Sequence, residues 1–83
     1  MELNLARKIL NKVISDKINW IRYQDGQYTI FRNAVSPSRI IYLSLNNVMF
    51  VENEKEDLIL KGDFSKELEI VGFKEKINLK DWP

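Results

Sequence analysis

Asp25-Gly26 stands between two runs rich in aromatic and β-branched residues, Asn19-Trp20-Ile21-Arg22-Tyr23-Gln24 and Gln27-Tyr28-Thr29-Ile30-Phe31-Arg32-Asn33. Such a dipeptide is the strongest short-range signal for a hairpin with a two-residue turn, because Gly takes positive φ without a Cβ clash and Asp tolerates it. With Asp25-Gly26 at the turn centre, the expected pairs are Gln24 with Gln27, Tyr23 with Tyr28, Arg22 with Thr29, Ile21 with Ile30, Trp20 with Phe31 and Asn19 with Arg32. Side chains alternate across a strand. One face therefore carries Ile21, Tyr23, Tyr28 and Ile30, with Asn19 and Arg32 at its open end. The other carries Trp20, Arg22, Gln24, Gln27, Thr29 and Phe31.

The rest of the chain supplies material to cover and extend this hairpin. From Leu3 to Ile18 the residues Ala6, Ile9, Leu10, Val13 and Ile14 recur at helical spacing with Arg7, Lys8, Asn11, Lys12 and Ser15 between them. This is an amphipathic helix whose stripe is narrow and lacks an aromatic residue, as suits a helix on a sheet rather than on a membrane. Asn4 is a candidate cap for its start. Ala34–Ser38 is a loop, because Pro37 lacks the N–H a central strand needs and pushes Ser36 toward extended backbone. Arg39–Leu45 reads as a strand, Asn46-Asn47 as a turn and Val48–Val51 as the return strand.

Glu52–Asp57 reads as a solvated acidic connection, and Leu58–Leu60 as a short strand ending at Gly62. The segment after it supports two readings. Asp63, Phe64, Leu68, Val71 and Gly72 fit a capped short helix, whereas Leu68, Ile70, Val71 and Phe73 fit a strand, and the poor helix propensity of Ile70 and Val71 tips the balance to a strand over Glu67–Phe73. The tail from Lys74 carries Ile77, Leu79 and Trp82 and is expected to dock. The chain thus reads as one small α+β domain over residues 1–83: an N-terminal amphipathic helix packed on one antiparallel sheet of four or five strands in a hairpin meander, with a short C-terminal helix as the alternative ending.

Function is bounded chiefly by exclusion. The chain has no cysteine and no histidine, which removes disulfides, thiolate nucleophiles, imidazole bases and the common zinc, copper and haem ligands. Glu52, Glu54, Glu56 and Asp57 lie in a polar stretch with nothing apolar to raise a carboxyl pKa, and they lack the calcium loop's alternating ligands and central glycine. No glycine-rich phosphate loop is present. An enzyme is not expected, nor is a cofactor or a metal. The N-terminus lacks a signal-peptide apolar run and no stretch is long enough to span a membrane, so the cytoplasm is the default location.

Net charge is +1, yet residues 1–42 hold seven Lys or Arg against three Asp or Glu, and residues 43–83 hold six against nine. An anionic partner on one side is thereby permitted without general polyanion binding. Tyr, Trp and Arg are the side chains that anchor protein interfaces, since each joins a large contact area to a polar handle. The expected function is a non-enzymatic protein-binding module (an inhibitor, adaptor or accessory protein, or a homodimer) using Trp20, Arg22, Thr29, Phe31, Arg32 and Arg39. The alternative is a single-stranded nucleic-acid binder that stacks bases on the sheet aromatics. The helix can cover either face of the hairpin, and each face carries aromatics.

Overall fold

The computed structural model describes residues 2–71. A helix α1 (Leu3–Ser15) leads into strands β1 (Trp20–Asp25), β2 (Tyr28–Asn33), β3 (Arg39–Leu43), β4 (Asn47–Glu52) and β5 (Lys55–Lys61), followed by a second helix α2 (Ser65–Val71). The strands form one antiparallel sheet in the order β1-β2-β3-β4-β5. The expected α+β meander is thus what the chain adopts, with five strands and a closing helix.

Helix α1 buries Ala6, Leu10, Val13 and Ile14, the stripe read from the sequence. Its start is not capped by Asn4: Glu2 holds the cap position in extended geometry without a side-chain hydrogen bond. It also ends at Ser15 rather than Ile18, because the Asp16 carboxylate accepts the backbone N–H groups of Ile18 and Asn19 and the Asn19 side-chain amide. The bond from the Asn19 backbone, followed by that from its side chain, holds the Asp16 carboxyl below the usual carboxylate range.

The first hairpin keeps its two-residue turn but shifts its centre by one residue. Asp25 pairs with Tyr28, so Gly26 and Gln27 form the turn, and Gly26 alone carries positive φ, 57°. Glycine at the first central position belongs to the type II′ geometry, which suits the strand twist and leaves Asp25 inside β1. The true pairs are Tyr23 with Ile30, Arg22 with Phe31, Ile21 with Arg32 and Trp20 with Asn33. Each residue has moved by two positions along its partner, and an even slip preserves faces where an odd one would exchange them.

The second hairpin turns at Leu45-Asn46, not Asn46-Asn47. Ser44 and Asn47 close it, with the Ser44 N–H donating to the Asn47 carbonyl at 2.9 Å and the Asn47 N–H donating to the Ser44 hydroxyl at 3.2 Å. The loop over residues 34–38 is held by the Asn33 side-chain oxygen, which accepts the N–H groups of Val35 and Ser36.

The stretch read as a solvated acidic connection is largely strand. Glu52 pairs with Lys55, and Asn53 and Glu54 both take positive φ, 54° and 65°, as a type I′ turn requires at its two central residues. Asparagine accepts this region readily, whereas glutamate carries a Cβ clash of about 1 kcal/mol. Glu54→Gly is expected to raise stability by about 0.5 kcal/mol, since part of the relief is offset by the entropy of an extra glycine in the unfolded chain. Urea denaturation of the variant checks this, and a loss of stability would show that the Glu54 side chain makes compensating contacts.

The strand expected over Glu67–Phe73 is instead the last turn and a half of α2, as far as it is described. Phe64 and Leu68, four residues apart, are both buried, while Ile70 is exposed. The Leu68 N–H donates to the Phe64 carbonyl at 3.0 Å and the Asp63 carboxylate accepts the Ser65 N–H. Burial at helical spacing outweighs the β-propensity of Ile70 and Val71, which is small per residue. Gly72 and Phe73, and the tail residues Ile77, Leu79 and Trp82, lie outside the described residues.

Candidate functional site

The core decides which hairpin face is covered. Leu10, Val13 and Ile14 of α1 and Phe64 and Leu68 of α2 pack with Phe31, Ile41, Leu43 and Val48 of the sheet, and Trp20, Phe50 and Leu60 pack against that cluster. Both helices therefore lie on the Trp20/Phe31 side. The physical reason lies in β3 and β4. In register with Phe31 and Thr29 they contribute Ile41, Leu43, Val48 and Phe50, which have no polar atoms to satisfy. The opposite face aligns Tyr23, Tyr28 and Tyr42, whose hydroxyls need hydrogen-bond partners and suit the apolar side beneath the helices less well.

This placement changes the meaning of the residues singled out from sequence. Phe31 is 0% exposed and Thr29 3% exposed, so neither is available to a partner. Trp20 is half-buried against the core and lines a cavity of about 240 Å³ with Ile9, Ile41 and Phe50. Arg22 turns inward, and its Nη2 donates to the Ile14 carbonyl at 2.9 Å, capping the C-terminal turn of α1, where a cation also complements the helix dipole. Arg39 lies at the rim of the Trp20 cavity, and its Nε donates to Glu52 at 3.3 Å in an exposed ion pair. Five of the six residues thus share the helix side, where Trp20, Thr29 and Phe31 are packed, Arg22 caps α1 and Arg39 forms an exposed ion pair; Arg32 belongs to the other face.

That other face is open among the described residues. Its middle row reads Tyr23, Ile30, Tyr42, Met49 and Ile59 across the five strands, and the row toward the start of β1 reads Ile21, Arg32, Ile40 and Val51 across β1 to β4. Ile30, flanked by Tyr23 and Tyr42 in this register, is buried although both described helices lie behind the sheet. Tyr28 meets Tyr42 edge to face, with ring centroids 5.8 Å apart and an interplanar angle of 86°. The Arg32 guanidinium lies 6.0 Å from the Tyr23 ring centroid, within reach of a weak cation–π attraction. Ile40, Tyr42, Met49, Val51 and Glu54 outline a shallow depression of about 370 Å³. Sequence reasoning brought out Tyr23 and Tyr28 but missed Tyr42, Met49 and Val51, because their alignment with the hairpin depends on non-local register.

A separate polar cluster ties the helices together. Arg7 of α1 pairs with Glu67 of α2, donates from Nη2 to the Asp63 carbonyl at 2.6 Å, and stacks 4.5 Å from the Phe64 ring centroid. Hydrogen bonds from Ser65, then the nearby charges of Arg7 and Lys66, hold the Asp63 carboxyl below its ordinary range. The Arg7 contacts all run from α1 to the α2 region, as expected of a structural clasp. Among the described residues no three or more Asp or Glu side chains converge as a metal site, and no helix is long and apolar enough to cross a membrane. Comparison with protein families, with characterised proteins and with solved structures finds no match for this chain.

Proposed function

We propose that the chain is a non-enzymatic protein-binding module that docks a protein partner or a second copy on the face of its sheet opposite the helices, around Tyr42, Met49, Val51 and Ile59. The observation that carries this reading is a contiguous apolar and tyrosine surface with no described element over it. Five strands at ~4.8 Å spacing, averaging about six residues at ~3.4 Å rise, give the whole sheet face roughly 450 Å², Arg32 and Lys61 included. Contiguous apolar surface of a few hundred Å² is characteristic of interaction sites. Tyrosine is suited to such a place because it covers a large area with few rotors and still offers a hydroxyl.

The nucleic-acid reading loses support from the same geometry. Trp20 and Phe31 are withdrawn into the core side, and Arg32 and Lys61 are the cations at described strand positions on the open face. A backbone-tracking groove needs more positive charge than that.

Affinity purification from a cell extract with wild-type chain, Val51→Glu on the open face and Arg39→Gln on the helix side tests the docking surface. Wild type and Arg39→Gln are expected to recover the same partner, and Val51→Glu about tenfold less at unchanged circular dichroism. Equal recovery by all three would remove this face as the interface. Binding to single-stranded oligonucleotides that weakens steeply with salt would return the reading to nucleic acid.

A further inference from the structure

We propose that the segment 72–83, which follows α2 and lies outside the described residues, packs as an extended chain across the β1–β2 part of the sheet face opposite the helices, over Tyr23 and Ile30. Two observations on that face call for a cover. Ile30 is 3% exposed although both described helices lie on the other side of the sheet, whereas Ile59, in the same row on β5, is 47% exposed. Tyr23, beside Ile30 on β1, makes a further interaction besides its contact with Arg32. The cover stops short of β4 and β5, since the depression outlined by Ile40, Tyr42, Met49 and Val51 stays open. Because Ile30 is buried within a single chain, what shields it belongs to that chain, and a second copy is not required.

The segment has the pattern, the starting point and the length that such a cover needs. Lys76-Ile77-Asn78-Leu79-Lys80 alternates strictly, which gives an extended chain one apolar side for the sheet and one polar side for water. Helix α2 brings Ser65, Leu68 and Glu69 beside Gln27, so Val71 lies within a helical turn of residues that meet the turn joining β1 to β2. Layers packed on either side of a sheet each lie about 10 Å from it, which puts about 20 Å between α2 and a segment on the far face. About six extended residues span that distance, and Ile77 is the sixth after Val71. Ile77 and Leu79 are therefore the apolar pair that reaches Tyr23 and Ile30.

The proposal stands apart from the docking reading and divides the face with it. The segment takes β1 and β2, and the surface around Tyr42, Met49, Val51 and Ile59 is left to the partner.

A nitroxide label tests the placement in the whole chain. No cysteine is present, so Lys80→Cys, on the polar side of the segment, carries the only label. The amide signals of Tyr23 and Ile30 should be broadened far more than those of Ile59 on β5 and of Lys8 on the outer side of α1. In the unlabelled protein a soluble paramagnetic agent should attenuate the Ile59 methyl signals and spare those of Ile30. Ile77→Asp with Leu79→Asp should raise the attenuation at Ile30 severalfold, with circular dichroism as the control for folding. Broadening centred elsewhere overturns the proposal. So does broadening seen only when labelled chains are mixed with isotopically enriched unlabelled ones, which would assign the cover to a second copy. An Ile30 that stays protected in the folded double variant would show that Tyr23, Tyr42 and Arg32 shield it by themselves, and overturns the proposal as well. Partner recovery that depends on Val51 is a separate measurement, so the two readings fail separately.

Discussion

Arg7→Ala is expected to lower stability by about 3 kcal/mol, because it strands the Glu67 carboxylate in the interface between α1 and α2. Glu67 is only 5% exposed, and its Oε2 has no hydrogen-bond partner among the described residues, so Arg7 supplies its compensation. Breaking a buried pair from one side typically costs about 3–5 kcal/mol, and the partial exposure of Arg7 places the effect at the lower end. The same substitution also removes the bond to the Asp63 carbonyl and the stacking on Phe64. Arg7→Lys keeps the charge but not the planar fork that serves these partners together, so it should recover less than half of the loss. Adding Glu67→Gln to Arg7→Ala should make the protein more stable than Arg7→Ala alone, since a neutral amide is less costly to bury unpaired than a carboxylate. Urea unfolding of the four proteins measures all of this, and a cost for Arg7→Ala below about 1 kcal/mol would mean the pair behaves as an ordinary surface ion pair.

Phe31→Ala is expected to cost about 3–5 kcal/mol through the cavity it leaves among Leu10, Ile41 and Leu43. Ile59→Ala on the open face, where the side chain is 47% exposed, should cost less than about 1 kcal/mol. Thermal or urea unfolding of the two variants compares the sheet's faces directly, and equal costs would contradict the placement of the helices. Domain stabilities commonly lie near 5–15 kcal/mol, and a chain of this size sits toward the bottom of that range. Loss of a partner by Phe31→Ala would therefore report unfolding rather than a missing contact, which makes it unsuitable as a binding probe and Val51→Glu the better choice.

Much of the hairpin was legible because its rules are local. Gly26 marks the turn, alternation sorts Tyr23 and Ile30 from Trp20 and Phe31, and the stripe of Ala6, Leu10, Val13 and Ile14 defines the buried side of α1. The misplaced turn centre did little damage, since Asp25-Gly26 and Gly26-Gln27 differ by a two-residue slip in pairing that leaves every side chain on its own face. The turn at Asn53-Glu54 was hidden by its glutamate, a residue that positive φ disfavours and that reads as a solvated loop.

The surroundings of Arg22 and Phe31 were illegible for a different reason. Arg22 resembled an interface arginine until the end of α1 came within reach of its guanidinium, and Phe31 resembled a stacking platform until Ile41 and Leu43 closed around it. The helical fate of Ser65–Val71 was equally non-local, because the burial of Phe64 and Leu68 and the reach of Arg7 to Glu67 outweigh the β-propensity of Ile70 and Val71.

By itself the sequence determined the kind of element for α1 and the first hairpin, and which residues share each face of that hairpin, since both follow from bond geometry over a few residues. Tertiary structure alone decided which face is covered. That choice depends on what β3 and β4 bring into register beside the hairpin: Ile41, Leu43, Val48 and Phe50 behind it, with no polar atom to satisfy, and Tyr42 in front, with a hydroxyl that needs a partner.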